Sequence, residues 1–253
     1  MKNPELIVLF LIAVLGLIIF VNEKEVSVFK TGLPIITGSG ELLDVSAVNI
    51  TILLPDCDCF DAKSFVQKLV SAGLNTSSIS ELTASEGYSL IQKFSLQKLP
   101  AILFSNRIVD YPFYLGLSFY GDLENNVFVF RNPDPPYYSV ESGEVVDGEV
   151  SVTYISHSDC DKCYNVSVHR DILVNIYGVN IGDEFFVNET SQLIEEYNIS
   201  KIPTVILSKS ANDYPSLLRV WPGMIAGDGS LVFTEPDSLG KVWYYDLELG
   251  GII

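Results

Sequence analysis

Apolar and polar positions follow the same order twice along this chain, after an apolar segment at its start. Short runs rich in β-branched residues predict a strand that opens each half, and a nearly continuous apolar run predicts a second strand buried on both faces. A third strand is the return strand of a predicted hairpin. These strands are predicted at 49–54, 101–104 and 127–130 in the first half, and at 150–155, 204–207 and 231–234 in the second.

Two helices are predicted between the first and second strands of each half, because apolar residues recur there at helical spacing. His169 lies inside one of these helices and is expected at its surface. The apolar positions are Phe65, Leu69, Val70, Tyr88, Ile91 and Phe94 in the first half, and Val168, Ile172, Leu173, Ile176, Leu193, Ile194 and Tyr197 in the second.

The repeat is strict at several landmarks. Cys57 precedes Pro100 by 43 residues, Cys160 precedes Pro203 by the same interval, and the second pair follows the first after 103 residues. A fixed offset across separate landmarks indicates an internal duplication. The offset then slips by four, so that the Tyr-Tyr segment at 137–138 matches the one at 244–245. Copies of about a hundred residues have the size of independent domains, which predicts one domain over 47–146 and another over 147–253.

The first residues differ in kind from the rest, since 6–21 is an uninterrupted apolar run. No small residues follow it, which favours an uncleaved transmembrane anchor over 1–22, while a cleaved signal and a buried helix stay open. Lys2 precedes the run, so the positive-inside rule predicts a single-pass membrane protein with a cytoplasmic N-terminus and both domains outside. Residues 23–46 are interpreted as a tether. Asn-x-Ser/Thr sequons agree with an exported surface and stand at Asn49, Asn75, Asn165, Asn188 and Asn198.

The charge balance excludes two classes of partner. Lys and Arg number 15 against 32 Asp and Glu, which leaves a net charge of −17, and no basic cluster occurs anywhere in the chain. Nucleic acid and anionic lipid headgroups are therefore not expected to bind. The acidic excess is interpreted as a solubilising surface.

The second copy carries a cysteine motif with a proline motif downstream. The stretch 160–163 reads Cys-Asp-Lys-Cys, and 202–204 reads Ile-Pro-Thr at the start of the buried strand. A CxxC alone is a weak signal, but this combination, duplicated in outline, resembles the thioredoxin fold. The resemblance covers 48–130 and 150–233, and the two-domain plan is similar to that of the protein disulfide oxidoreductases. It implies an α/β chain with two tandem thioredoxin-like domains after a single N-terminal transmembrane helix.

The resemblance also implies a division of chemical labour. Cys160 would be the nucleophile, because a cysteine at a helix N-terminus is expected to have its thiolate stabilised by unpaired N–H groups and the macrodipole. Cys163, one turn away, would resolve the mixed disulfide. Pro203 would be cis, and the backbone of Ile202 would pair with a substrate strand. No cofactor is expected, and the expected substrates are proteins with thiols or disulfides.

The neighbours of the motif depart from the thioredoxin pattern. Asp159 and Asp161 oppose formation of the thiolate, whereas Lys162 and His157 favour it, so the direction of the net pKa shift stays open. We interpret His157, Asp159 and Lys162 as modulating residues. The strand before the motif also lacks the buried acid that accepts a proton in thioredoxins, which makes a fast reductase less favoured.

The first copy departs further, because 57–59 reads Cys-Asp-Cys. A disulfide across one intervening residue closes a smaller ring, which is expected to be easier to reduce. Cys57 and Cys59 are therefore candidate catalytic residues. The alternative is that this copy has lost turnover and uses only Leu99 and Pro100 to hold a partner.

Metal binding is a competing interpretation of the same residues. His157, Cys160 and Cys163 have the spacing of zinc or copper ligands, and acidic residues surround the first pair at Asp56, Asp58 and Asp61. Because the cis-proline loop of thioredoxins covers the thiol pair, no metal is predicted. The duplicated fold implies local disulfides, 57 with 59 and 160 with 163, although a bond between Cys57 and Cys160 stays open.

The leading hypothesis for the whole chain is a membrane-anchored thiol–disulfide oxidoreductase that acts on extracytoplasmic protein thiols or disulfides, through a redox partner that the sequence does not name. The alternative is a non-catalytic thioredoxin-like module that binds a partner or carries copper or zinc.

Overall fold

The computed structural model describes residues 47–253, which divide into two units between Val146 and Asp147. The predicted anchor at 1–22 and tether at 23–46 lie outside the described residues. Within 47–253, the structure contains no helix of sufficient length and apolar character to cross a bilayer.

Unit 1 alternates strands and short helices in the predicted order. A 3-10 segment at Asn106–Asp110 follows its fourth strand. The elements are β1 (Val48–Leu54), α1 (Ala62–Ser71), β2 (Thr76–Thr83), α2 (Tyr88–Lys93), β3 (Lys98–Leu99), β4 (Ala101–Ser105), α3 (Tyr114–Leu117), β5 (Gly121–Glu124), β6 (Val127–Phe130), β7 (Tyr137–Ser139) and β8 (Val145–Val146).

Five strands of unit 1 form one sheet in the order β2-β1-β4-β6-β5. Strands β1 and β2 are parallel, whereas β4, β6 and β5 each run antiparallel to the preceding neighbour. Helix α1 buries Val66 and Leu69 in a cluster on one face, and α2 buries Ile91 in a second cluster that includes Leu53 and Val129. Apolar side chains leave the central strands on both faces, which explains their continuous apolar sequence.

Unit 2 repeats this arrangement. A 3-10 segment at Lys209–Asp213 again follows its fourth strand, and another occupies Pro236–Leu239. The elements are β9 (Val150–Ser156), α4 (Val168–Asn175), β10 (Ile181–Asn188), α5 (Leu193–Glu196), β11 (Lys201–Ile202), β12 (Thr204–Leu207), α6 (Pro215–Leu218), β13 (Gly223–Ile225), β14 (Leu231–Phe233), β15 (Tyr245–Asp246) and β16 (Gly251–Ile252).

The sheet of unit 2 has the equivalent order, β10-β9-β12-β14-β13, with β9 and β10 parallel. Its two faces are covered by separate apolar clusters, one around Tyr154, Val205 and Phe233 and the other around Ile155 and Ile206. The predicted α/β class is confirmed for residues 47–253. Each unit also has the order on which the thioredoxin resemblance was based, from strand to cysteine pair, helices, proline, buried strand and hairpin.

The predicted central strands agree with the structure to within one residue, but the edge strands β2 and β10 were not predicted. Strand β2 exposes nearly all of its side chains, and β10 exposes Phe185 and Phe186. Neither strand therefore has the apolar alternation or the apolar run from which a strand is predicted. Both are held by parallel pairing with a central strand, which depends on residues far away in sequence.

Candidate functional site

Both cysteine pairs are disulfide-bonded in the structure. Cys57 is linked to Cys59 and Cys160 to Cys163, and the Cα atoms are 5.4 Å apart in each pair. These are the local pairings that the duplicated fold implied. All four cysteines are half-buried, so neither disulfide is sealed inside a core.

Each pair accompanies a cis-proline at the start of a buried strand. The peptide bonds Leu99-Pro100 and Ile202-Pro203 are both cis, as the resemblance implied for Pro203. The side chains of Leu99 and Ile202 are completely buried. Their backbones are paired with other parts of the same unit, Leu99 with Tyr138 and Ile202 with Tyr245.

The structure corrects the expectation that Cys160 lies at a helix N-terminus. Helix α4 begins at Val168, and the motif itself is a turn in which the Cys163 N–H donates to the Cys160 carbonyl at 3.2 Å. The helix begins late because Asn165 accepts a hydrogen bond from the Ser167 N–H and forms its own turn first. The macrodipole acts over the first helical turn, so it does not reach Cys160.

In unit 1 the cysteine pair also lies before the helix, but for a different local reason. The carboxylate of Asp61 accepts a hydrogen bond from the Ser64 N–H at 2.9 Å and thereby caps α1, which begins at Ala62. Hydrogen bonds from the Ser64 hydroxyl and then from the Ser64 N–H lower the pKa of Asp61. Cys57 and Cys59 therefore precede the helix, and one of the three acidic candidates for metal binding serves as a helix cap.

The predicted modulating residues lie in the turn around Cys160. The Nδ1 atom of His157 accepts a hydrogen bond from the Asp159 N–H at 3.1 Å, and the His157 carbonyl accepts from the Cys160 N–H at 3.4 Å. The His157 ring packs against Tyr245, with ring centroids 4.1 Å apart. Lys162 and Asp159 are exposed. His157 is thus part of the backbone turn that carries the motif.

Sequence reasoning missed an acid at the same turn. The Glu189 carboxylate, just after β10, accepts hydrogen bonds from the N–H and the hydroxyl of Ser158 at 2.8 and 3.1 Å. The backbone bond is the main cause of a lowered Glu189 pKa, and His157 contributes. This contact ties the edge strand β10 to the residues immediately before Cys160.

A buried polar chain joins the cysteine motif to the cis-proline. Tyr164, the neighbour of Cys163, donates its hydroxyl hydrogen to the Pro203 carbonyl at 2.5 Å and lies 2.9 Å from His169 Nε2. Because Tyr164 has one hydroxyl hydrogen and the carbonyl can only accept, His169 Nε2–H must donate to the Tyr164 oxygen. This series of hydrogen bonds therefore runs from His169 through Tyr164 to Pro203.

Burial determines the protonation of both side chains in this chain. It lowers the pKa of His169 to about 4 and raises that of Tyr164 above its usual value. His169 is only 4% exposed and also packs edge-on against Phe233, so the expectation that it lies at the surface was wrong. Its spacing of four residues from the buried Leu173 is the signal that could have placed it on the inner face.

Unit 1 has an aromatic cluster in the equivalent place. Phe60, the residue after Cys59, lies 5.7 Å from Phe65 and 6.0 Å from Phe130 between ring centroids. Phe130 pairs with β4 in its unit, as the residues around Phe233 pair with β12 in the other. Position 66 of unit 1, which matches His169, is a buried valine. The polar chain described for unit 2 thus has an apolar counterpart beside the CxC pair.

No group of three or more His, Cys, Asp or Glu side chains within residues 47–253 is arranged to hold a metal ion. The three residues proposed as ligands in unit 2 are otherwise engaged, since Cys160 and Cys163 are bonded to each other and His157 Nδ1 accepts a backbone hydrogen bond.

No protein family matches the chain, and no curated protein matches its sequence. Among solved structures, the alkylhydroperoxide reductase protein AhpF of Enterococcus faecalis is 13% identical over 64% of this chain and 81% of that chain, with a TM-score of 0.21. A structure of ERdj5 is 12% identical over 65% of this chain and 24% of that chain, with a TM-score of 0.18. At these identities and TM-scores the likeness carries no information on function, which depends on the geometry of the site itself.

The arrangement in unit 2 is suited to exchange between thiols and a disulfide. Two cysteines within bonding distance can alternate between a dithiol and a disulfide, and both residues are only half-buried. The polar chain holds the cis-proline carbonyl beside the residue that follows Cys163. The motif and the proline loop, 40 residues apart in sequence, are thereby one site.

Proposed function

We propose that this chain is a thiol–disulfide oxidoreductase whose main reactive centre is the Cys160–Cys163 pair. The observation that carries the proposal is the hydrogen bond from Tyr164 to the cis-Pro203 carbonyl, next to a half-exposed CxxC disulfide. A redox cysteine pair adjoining a cis-proline is the combination that the sequence resemblance implied.

The reaction requires no cofactor. In the reducing direction, the Cys160 thiolate attacks one sulfur of a substrate disulfide, forms a mixed disulfide and releases the other substrate sulfur as a thiolate. The Cys163 thiolate then attacks the Cys160 sulfur, so that the second substrate thiolate leaves and the Cys160–Cys163 disulfide forms. Two electrons pass to the substrate. The same steps in reverse oxidise a substrate dithiol, and a second redox protein restores the starting state.

We propose that this activity lies on the extracytoplasmic side of a membrane, with 1–22 as the anchor. The apolar run and the preceding Lys2 support this placement. The five sequon asparagines support it too, because each is exposed in the structure. In an oxidising compartment both cysteine pairs are expected to rest as disulfides.

Unit 1 is proposed as a second, modified centre. Its cis-proline and half-exposed cysteine pair match those of unit 2, but the residue after Cys59 is an aromatic side chain packed into the core. We expect Cys57 and Cys59 to exchange with thiols, while the aromatic cluster supplies no hydrogen-bond donor comparable to Tyr164.

The proposal is tested by trapping the intermediate. In a Cys163→Ser variant, Cys160 should form mixed disulfides that Cys163 can no longer resolve, and these are detected as thiol-sensitive adducts by mass spectrometry. The matched controls are Cys160→Ser, which should form no adduct through unit 2, and Cys59→Ser, which reports on unit 1 separately.

Absence of Cys163→Ser adducts, together with no reduction or oxidation of a model protein by the full chain, would overturn the enzyme proposal. A stoichiometric metal found by elemental analysis of the reduced chain would then support the alternative of a metal-carrying module.

A further inference from the structure

The end of each unit lies along the backbone that precedes its cis-proline. We call residues 244–247 the tail strand of unit 2 and residues 137–140 the tail strand of unit 1. In unit 2, Tyr245 pairs with Ile202, and the Leu247 N–H donates to the Ser200 carbonyl at 2.8 Å. Since hydrogen-bonded pairs alternate in an antiparallel ladder, Ile202 and Tyr245 form the next hydrogen-bonded pair.

Unit 1 has the same pairing. Tyr138 pairs with Leu99, and the Val140 N–H donates to the Gln97 carbonyl at 2.8 Å. The sequence repeat slips by four residues before this segment, but the second tyrosine still pairs with the residue before the cis-proline in both units. The pairing is therefore a feature of the repeated fold and not of one copy.

The start of each tail strand is attached to the cysteine motif. The residue before the first tyrosine accepts a hydrogen bond from the residue that follows the motif. Tyr164 N–H donates to the Trp243 carbonyl at 2.9 Å, and Phe60 N–H donates to the Pro136 carbonyl at 2.6 Å. In both units, the tail strand is thus hydrogen-bonded at its start to the cysteine motif and further along to the backbone that precedes the cis-proline. The 4.1 Å packing of Tyr245 on His157 adds a side-chain contact to the loop that holds Cys160.

The contacts of the tail strand show what kind of peptide this edge accepts. Lys201 Nζ lies 5.3 Å from the ring centroid of Tyr244, and Lys98 Nζ lies 4.0 Å from that of Tyr137. These are cation–π contacts, which favour an aromatic residue one position before the tyrosine that pairs with the edge. The preferred occupant is an extended peptide with two consecutive aromatic residues.

We propose that the tail strand of unit 2 is an internal occupant of a peptide-binding edge, and that an extended aromatic peptide of a substrate protein binds this edge by displacing it. The assignment of the edge to substrates rests on the proposed function. The ladder between β11 and β15 comprises only two residue pairs, whereas β15 is also paired with β16 on its other side. A competing strand therefore has to replace the two pairs with β11, and the pairing of β15 with β16 moves away together with the tail strand.

The test compares two substitutions at one residue. Leu247→Pro removes the N–H that bonds to Ser200, whereas the control Leu247→Ala keeps this N–H and removes side-chain packing. Hydrogen exchange at 244–247 should become at least about fivefold faster in the proline variant than in the alanine variant, from the loss of one backbone bond. Unchanged exchange at 150–156 reports that the unit remains folded.

Binding is then measured without any redox chemistry. The probe is an end-blocked, cysteine-free peptide with the sequence of 242–248, Val-Trp-Tyr-Tyr-Asp-Leu-Glu, added to the oxidised full chain. The Leu247→Pro variant should bind this peptide about fivefold more tightly than the wild type, and Leu247→Ala should bind it within about twofold of the wild type. A peptide with proline in place of the second tyrosine should not bind.

Two results would overturn the proposal. One is a tail strand that stays as protected in Leu247→Pro as in the wild type, because it would then not be displaceable. The other is equal peptide affinity of Leu247→Pro and wild type although exchange shows the strand released. If Leu247→Pro does not fold, Val140→Pro and Val140→Ala apply the same comparison to unit 1.

Failure of this proposal is distinguishable from failure of the proposed function. The binding measurement uses the disulfide form and a peptide without sulfur, so it does not depend on turnover. A chain that forms Cys163→Ser adducts but shows no displacement retains the proposed activity and loses only the tail-strand inference.

Discussion

Tyr164 donates a hydrogen bond to the carbonyl oxygen of Pro203 at 2.5 Å, across 39 residues of sequence. The same hydroxyl oxygen accepts a hydrogen bond from His169. Because Tyr164 directly follows Cys163, this relationship fixes the cis-proline loop to the cysteine motif. In unit 2 the side of the site that faces the core is therefore formed by hydrogen-bonded polar groups. In unit 1 the equivalent place is occupied by stacked phenylalanine rings.

Replacing Tyr164 with phenylalanine should lower the free energy of unfolding by about 1–3 kcal/mol, because the buried Pro203 carbonyl and the His169 N–H each lose a partner. The exchange rate of the Cys160–Cys163 pair with a protein disulfide should fall as well, since the proline loop is no longer held. Denaturant unfolding and stopped-flow exchange measure the two effects.

The matched control is Tyr197→Phe. The Tyr197 hydroxyl donates to the exposed Asp228 carboxylate at 2.8 Å, and water can replace that partner. Its loss should change the unfolding free energy by less than about 0.5 kcal/mol. Equal effects of the two substitutions would contradict the role assigned to Tyr164.

The buried His169 should make unit 2 less stable in mild acid. Its pKa is about 4 in the folded chain against 6.5 for an unperturbed histidine, so between these values the unfolded chain binds the extra proton and unfolding is favoured. The stabilising contribution is complete above about pH 6.5 and falls by about 3 kcal/mol as the pH drops to 4.

This effect is measured as the difference in unfolding free energy between wild type and a His169→Gln variant from pH 7 to pH 4. The difference should shrink steadily as the pH falls. A His169→Gln profile parallel to that of the wild type would show that His169 is protonated at the same pH in both states.

A glycine in the hairpin of unit 2 should resist substitution. Gly223 pairs with Phe233, and a Cβ atom added there would lie 2.0 Å from the Val232 carbonyl oxygen. Gly223→Ala should therefore separate β13 from β14 and cost about 1–3 kcal/mol of unfolding free energy. Gly227→Ala is the control, because an added Cβ has no neighbour within 4 Å there. A denaturant series on both variants checks the contrast, and equal midpoints would contradict the close approach.

Much of the fold could be predicted because its signals are local. The apolar runs at 101–104 and 204–207 match β4 and β12, and the helical spacing of Phe65 and Leu69 matches α1. The local disulfides and the cis form of Pro203 also agree with what the resemblance implied. Edge strands β2 and β10 escaped prediction because their exposed side chains show no pattern.

The geometry around the candidate site residues could not be predicted from the sequence. The sequence placed Cys160 at a helix start, yet the turn made by Asn165 delays α4 until Val168. It also offered the backbone of Ile202 as a substrate edge, and in the structure Tyr245 of the same unit is paired with it.

The sequence by itself determined the duplication, the two cysteine pairs and the position of each buried strand, because residue spacing and side-chain periodicity encode these features directly. Only the tertiary structure decided that Tyr164 reaches Pro203 and that each tail strand pairs with the residue before a cis-proline. The physical reason is that each of these depends on which distant segments share a core or a strand ladder, and spacing along the chain carries no record of that choice.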